Sequence, residues 1–176
     1  VAEHTILLIL ALYKQLIKAD SSMRAGKWLQ FGLRSSSFEL AGKTLGLLGF
    51  GRIGEAVATR ALAFEAKVCY YDIIRRTETE EKQLGVTYLA MEDLLTCSDI
   101  ISLHLPVTPE TKHIMNDDTL NMMRKGSILI NTSRGSLIDQ KALVKALQSG
   151  RLGGAGLDVF EKEPPAIDEP LLKMPN

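Results

Sequence analysis

The stretch LGLLGFGRIGEAVATRAL, Leu45 to Leu62, constrains the fold more than any other part of the chain. A short apolar run meets Gly49, Gly51 and Gly54, then gives way to the spacing of an amphipathic helix. G-x-G-x-x-G between a strand and a helix has a specific physical use. Gly49 permits the tight turn out of the strand. Gly51 leaves the backbone open to a pyrophosphate, and Gly54 lets the helix pack closely on the sheet. The helix N-terminus then offers unpaired N–H groups and the positive end of its dipole to phosphate, with the cation of Arg52 beside them. Taken alone, the pattern also describes a glycine-rich turn with no ligand.

Asp72 narrows the choice. It ends AKVCYYD, a run of β-formers, 18 residues beyond Gly54. At that distance a carboxylate meets the ribose hydroxyls of NAD. The same charge repels a 2′-phosphate, which favours NAD over NADP. Arg75 and Arg76 follow as an expected solvated turn, yet their charge pulls the other way.

The rest of the chain repeats the strand–helix alternation. Strands are expected at TLGLLGF, AKVCYYD, VTYL, DIISLHLP, SILI and GAGLDVF. Helices are expected at RIGEAVATRALAF, TEEKQLG, MEDLLTC, NDDTLNMMRKG and SLIDQKALVKALQSG, the last closed by Gly150. Such alternation implies right-handed crossovers and a parallel sheet covered on both faces. The fold class is therefore α/β: a Rossmann-type doubly wound parallel sheet forming a single nucleotide-binding domain. Its core is expected over residues 40–160, with linker or interface helices over 1–28 and an exit loop over 161–176.

Bulk properties exclude some functions. The 176 residues carry 21 basic and 21 acidic side chains, so no electrostatic footprint for nucleic acid is present. The apolar run Ile6 to Tyr13 is too short to cross a bilayer and lacks the basic flank of a signal peptide, so no membrane association is expected. It reads instead as part of a helix over 1–18 that needs a partner surface. Cys69 and Cys97 are expected as buried free thiols in a reducing, cytoplasmic setting.

Three later segments carry a resemblance: SDIISLHLPVTPETKHIM, GSILINTSRGSLIDQKAL and GAGLDVFEKEPP. In that order, after LLGFGRIG, they resemble the D-isomer-specific 2-hydroxyacid dehydrogenases, and the resemblance runs nearly the length of the chain. It implies an NAD-dependent hydride transfer between a D-2-hydroxy acid and its 2-keto acid, in a homodimer. It further implies roles for named residues. Arg52 and Ile53 serve the pyrophosphate, and Asp72 the adenosine ribose. Leu105 and Pro106 line the adenine side. Thr132, Ser133 and Asp158 lie along the nicotinamide end, with Asp158 taking the carboxamide N–H. Arg134 anchors the substrate carboxylate, and Glu163 pairs with an acid–base histidine.

Physical chemistry is in keeping with the roles the resemblance implies. A guanidinium grips a carboxylate bidentately, and a histidine held next to a carboxylate keeps its acid form near neutral pH. The family's acid–base histidine and its substrate domain are expected to lie outside the present chain. His4 is expected at an interface or the surface, His113 in solvent, and His104 against the adenine. The chain is thus expected to bind NAD without turnover. A second reading is a non-catalytic, NAD(H)-sensing protein-binding module resembling the C-terminal-binding-protein corepressors, which share these motifs.

Overall fold

The computed structural model describes residues Val1 to Asn176. The elements in chain order are α1 (Ala2–Tyr13), α2 (Leu16–Arg24), β1 (Thr44–Leu48), α3 (Arg52–Ala63), β2 (Lys67–Tyr71), α4 (Glu78–Leu84), β3 (Val86–Tyr88), α5 (Met91–Cys97), β4 (Ile100–Leu103), α6 (Asp117–Met122), β5 (Ile128–Asn131), α7 (Gln140–Gln148) and β6 (Gly154–Leu157). Short 3₁₀ turns span Gly135–Leu137 and Pro170–Lys173.

The six strands form one parallel sheet in the order β3-β2-β1-β4-β5-β6. β4 and β5 are buried along their whole length, as their uninterrupted apolar runs require in a sheet covered on both faces. One core lies under α1 and α3 and includes Ile9, Leu47, Val57 and Ile100. The other lies under α5, α6 and α7 and includes Leu48, Leu95, Leu120 and Leu143. Each fully buried aliphatic side chain contributes about 1.5–3 kcal/mol relative to exposure.

The register places the strand ends in one row. Tyr71 pairs with Leu48, Leu48 with Leu103, Leu103 with Asn131 and Asn131 with Leu157. The ladder extends one step further through Gly49 N–H to Tyr71 O (2.8 Å), His104 N–H to Leu48 O (2.7 Å) and Asp158 N–H to Asn131 O (3.0 Å). Gly49, His104 and Asp158, each one step past the row, are therefore tied into the ladder by their own N–H groups.

The segment 1–28 divides into two parts, and the expected helix over 1–18 is broken. Gln15 takes a left-handed conformation (φ 51°) between α1 and α2. Thr5, Ile6, Ile9 and Tyr13 recur on one face of α1 and are buried in this chain's own core. Gly154 and Gly156 of β6 let α1 approach: a Cβ on Gly156 would stand 3.0 Å from Leu8 Cβ, and one on Gly154 3.2 Å from Leu12 Cδ2. α2, by contrast, buries no residue. Ile17, Met23, Trp28, Phe31 and Phe38 form the exposed apolar surface of this region.

Other boundaries also move. α6 stops at Met122, and Gly126 (φ 80°) belongs to the turn into β5. α7 starts at Gln140, because the Asp139 side chain accepts the N–H groups of Lys141 and Ala142 and caps the helix there. The cysteines depart from expectation: Cys69 is half-buried and Cys97 is exposed.

Candidate active site

The glycine loop sits on β1 at the point where strand order reverses, with β2 on one side and β4 on the other. Gly49 has φ 96°, and a Cβ there would lie 2.5 Å from the carbonyl oxygen of His104. A Cβ on Gly54 would lie 2.5 Å from the carbonyl oxygen of Gly49, so the first turn of α3 rests directly on the loop. Gly51 differs from both: a Cβ there would meet nothing within 4 Å. Two of the glycines are demanded by the protein's own packing. The third faces open space at the N-terminus of α3.

Asp72 is tied to that loop. Its Oδ2 accepts the N–H of Phe50 at 2.6 Å, and its Oδ1 accepts the N–H of Ile74 at 3.1 Å. A carboxylate has about four acceptor positions, so two remain for hydroxyl donors. Arg75 and Arg76 are partly exposed, as expected of a surface turn, but both are paired with carboxylates. Arg75 forms a bidentate pair with Glu81 (2.8 and 3.0 Å) and lies over the Tyr88 ring. Glu81 also accepts the Tyr70 hydroxyl at 2.9 Å. The Arg75 hydrogen bond holds the Glu81 carboxyl below the usual carboxylate range. Arg76 bonds Glu55 at 3.1 Å and lies 3.8 Å from Glu80.

Across the switch point, a hollow of about 470 Å³ is lined by Ile53, His104, Leu105, Pro106, Ser133 and Arg134, among others. His104 is mostly buried, and its Nε2 is 2.9 Å from Ser102 Oγ. Burial lowers its pKa to about 4, so the ring is neutral at physiological pH. A larger hollow of about 660 Å³ lies between α1 and the edge strand β6. Lys18 is its only charged wall residue, and no glycine-loop residue reaches it. With His104, Ser133 and Arg134 in its wall, the smaller hollow is the candidate site.

The loop after β5 is shaped by Asn131, a residue that sequence reasoning passed over. Its buried side chain accepts the N–H of Ser133 (3.0 Å) and donates to the carbonyl of Arg134 (2.9 Å). The available signal was a polar residue ending the apolar run SILIN. Ser133 Oγ donates to Leu105 O at 3.1 Å, joining this loop to the one after β4. Arg134 is exposed and spends one Nη1–H on Ser133 O (2.7 Å), which leaves the other donors of its fork.

The loop after β6 carries Asp158, Glu161 and Glu163. Gly135 packs against it so closely that any Cβ would overlap the Phe160 carbonyl, which brings the segments bearing Arg134 and Glu163 together. Glu163 Oε1 accepts the N–H of Phe160 at 3.0 Å. His113, expected in solvent, instead bonds Glu161. His4, expected at an interface or the surface, lies 3.3 Å from Asp158 Oδ1. Thr5 and Thr132 share a buried hydroxyl–hydroxyl bond of 2.9 Å. No spacing within the chain signals these last two contacts, which join its first turn to its last two strands. None of the three histidines pairs with Glu163.

Residues 6–176 match the family described as D-isomer specific 2-hydroxyacid dehydrogenase, NAD binding domain. The chain is 48% identical over 177 residues to the glyoxylate reductase of Korarchaeum cryptofilum (strain OPF8), covering 99% of this chain and 53% of that protein. A solved Granulicella m. formate dehydrogenase superposes with a TM-score of 0.95 at 36% identity, over 99% of this chain and 47% of that one. An NAD-dependent formate dehydrogenase from Staphylococcus aureus, solved in complex with NAD, gives a TM-score of 0.93 at 35% identity, over 99% and 52%. The chain thus spans about half the length of the relatives it matches. The corepressor-like reading gains no support from these relatives. By sequence and by fold, the chain belongs to the D-isomer specific 2-hydroxyacid dehydrogenase family and represents its NAD binding domain.

Proposed function

We propose that this chain binds NAD(H) along the row of strand ends and serves the reversible reduction of a small 2-keto acid to its D-2-hydroxy acid. The observation that carries the reading is the register. Gly49, Asp72, His104, Thr132 and Asp158 each follow the last residue of a different strand, and those last residues form one continuous row. Ligands of open α/β sheets bind outside that edge at the switch point.

Gly51 and the α3 N-terminus, with Arg52 and Ile53, receive the pyrophosphate. Asp72 takes the adenosine ribose, and Leu105 and Pro106 border the adenine side. Thr132, Ser133 and Asp158 hold the nicotinamide end. Bound NADH supplies the hydride. Arg134 has guanidinium donors left to grip the substrate carboxylate and polarise its carbonyl. Glu163, on the loop packed against Gly135, is placed to hold a histidine in its acid form. His4, His104 and His113 each have other partners, so the chain by itself binds cofactor without reducing substrate. Glyoxylate is the first substrate to test, because the Korarchaeum relative is named for it. A cytoplasmic homodimer is part of this reading: the exposed apolar surface formed by Trp28, Phe31 and their neighbours supplies a face for a second copy.

The decisive experiment is calorimetric titration of the chain with NADH and with NADPH, alongside an assay of glyoxylate reduction. Saturable NADH binding, much weaker NADPH binding and no turnover are expected. A folded chain that binds neither nucleotide refutes the cofactor assignment. Turnover above background means that one of the three histidines acts as the acid. A monomeric mass in sedimentation across a wide concentration range removes the dimer.

A further inference from the structure

We infer that His4 is a positioning residue for the nicotinamide end: it holds the Asp158 carboxylate ready to receive the carboxamide N–H. The inference rests on the placement of Asp158 given above. It starts from a juxtaposition that the linear sequence conceals. Two consecutive residues of α1, His4 and Thr5, touch the two residues, Asp158 and Thr132, that follow neighbouring strands β6 and β5.

Thr5 is fully buried, and its hydroxyl meets Thr132 Oγ1 at 2.9 Å. That bond pins the first turn of α1 over the ends of β5 and β6. His4 is thereby set beside Asp158, with Nε2 at 3.3 Å from Oδ1. The Asp158 backbone is fixed by its N–H bond to Asn131 O at 3.0 Å. Its side chain is 52% exposed and has no other protein partner, so without His4 it turns freely about its χ angles. Occupying Oδ1 restricts the carboxylate to one orientation and leaves Oδ2 for a ligand donor. A group fixed before binding loses less entropy when the ligand arrives. Glu3, the neighbouring acid, is directed away toward Arg60 on α3 at 3.6 Å and does not compete for His4.

The test is a binding cycle with two probes, NADH and ADP-ribose, the second lacking the nicotinamide and its carboxamide. His4→Ala is expected to weaken NADH about two- to fivefold, the range of a half-exposed side-chain contact, and to leave ADP-ribose unchanged. His4→Gln, which keeps an N–H donor, restores most of the loss. In an Asp158→Ala background, His4→Ala has no further effect. Equal weakening of both probes by His4→Ala overturns the inference in favour of a general role in seating α1. So does an Asp158→Ala chain that loses NADH selectively while His4→Ala changes nothing. If Asp158→Ala itself fails to separate the two probes, the placement of Asp158 at the nicotinamide end falls, and the role of His4 falls with it. Circular dichroism melts of each variant establish that the comparison is made on folded chains.

Discussion

Replacing Gly49 and Gly51 in turn by alanine separates what the fold requires from what the ligand requires. At Gly51 the backbone has φ −78° and ψ −165°, a conformation open to any L-residue, and the new Cβ has no neighbour within 4 Å. Lower entropy of the unfolded chain stabilises Gly51→Ala by about 0.4–1 kcal/mol. Alanine is a poorer N-cap than glycine by about 0.5–1 kcal/mol, and the two effects nearly cancel. At Gly49 the φ of 96° costs an alanine about 1–3 kcal/mol. Its Cβ would also stand 2.5 Å from a backbone oxygen that cannot rotate away, at an overpacking cost of about 1–3 kcal/mol. For a domain of this size 1 kcal/mol moves Tm by about 2–4 °C. Differential scanning calorimetry should therefore find Gly51→Ala within about 2 °C of the parent and Gly49→Ala lower by about 4 °C or more. Titration with NADH should show the Gly51→Ala chain at least about tenfold weaker, since its methyl occupies the space proposed above for the pyrophosphate. An undiminished NADH affinity in Gly51→Ala would refute the reasoning. A loss of stability there equal to that of Gly49→Ala would show that the space at Gly51 is already filled by protein.

Two further predictions concern pH. Burial lowers the His104 pKa to about 4, against about 6.5 in an unfolded chain. Between those values the unfolded state binds the extra proton and the native state does not. Stability is complete above about pH 6.5 and declines toward pH 4, by at most about 3 kcal/mol from this group. His104→Gln should flatten that part of the Tm–pH curve, and an unchanged slope would count against a neutral, buried ring. Glu81 is held below its usual range by Arg75, so its contribution is present above about pH 4.5 and fades as pH falls through its lower native value. Glu81→Gln should remove that acid-side loss. It should also free Arg75 for a 2′-phosphate, narrowing the gap between NADH and NADPH; a gap left as wide would mean that Asp72 alone sets the preference.

Much of the sheet was legible because parallel strands and crossover helices leave strong local marks. Apolar runs such as IISL and ILIN have nowhere to go except the middle of a covered sheet. The glycine loop was legible for a different reason: a positive φ at Gly49 and backbone contact at Gly54 leave glycine as the residue that fits. The state of Arg75 and Arg76 was not legible. Their carboxylate partners lie on two separate helices, Glu80 and Glu81 on α4 and Glu55 on α3, and composition treats every such charge as solvated. Cys97 misled for a related reason, because an apolar neighbourhood in sequence does not say which side of a short helix faces water.

The candidate site divides along the same line. Residues one step past a strand end are placed by the ladder itself, so their positions follow from strand order and register without any knowledge of side chains. That covers Gly49, His104 and Asp158, while Asp72 and Thr132 are held by side-chain bonds to Phe50, Ile74 and Thr5. What the site does with them depends on contacts made across the sequence: Asn131 shaping the loop that carries Arg134, Gly135 admitting the Phe160 backbone, and α1 returning to touch Thr132 and Asp158. These contacts join segments as much as 154 residues apart, His4 to Asp158 being the longest. A local pattern cannot report them, since each partner reads as an ordinary residue in its own segment. The sheet sets where the chemistry can be done. The long-range contacts decide which side chains are held still enough to take part.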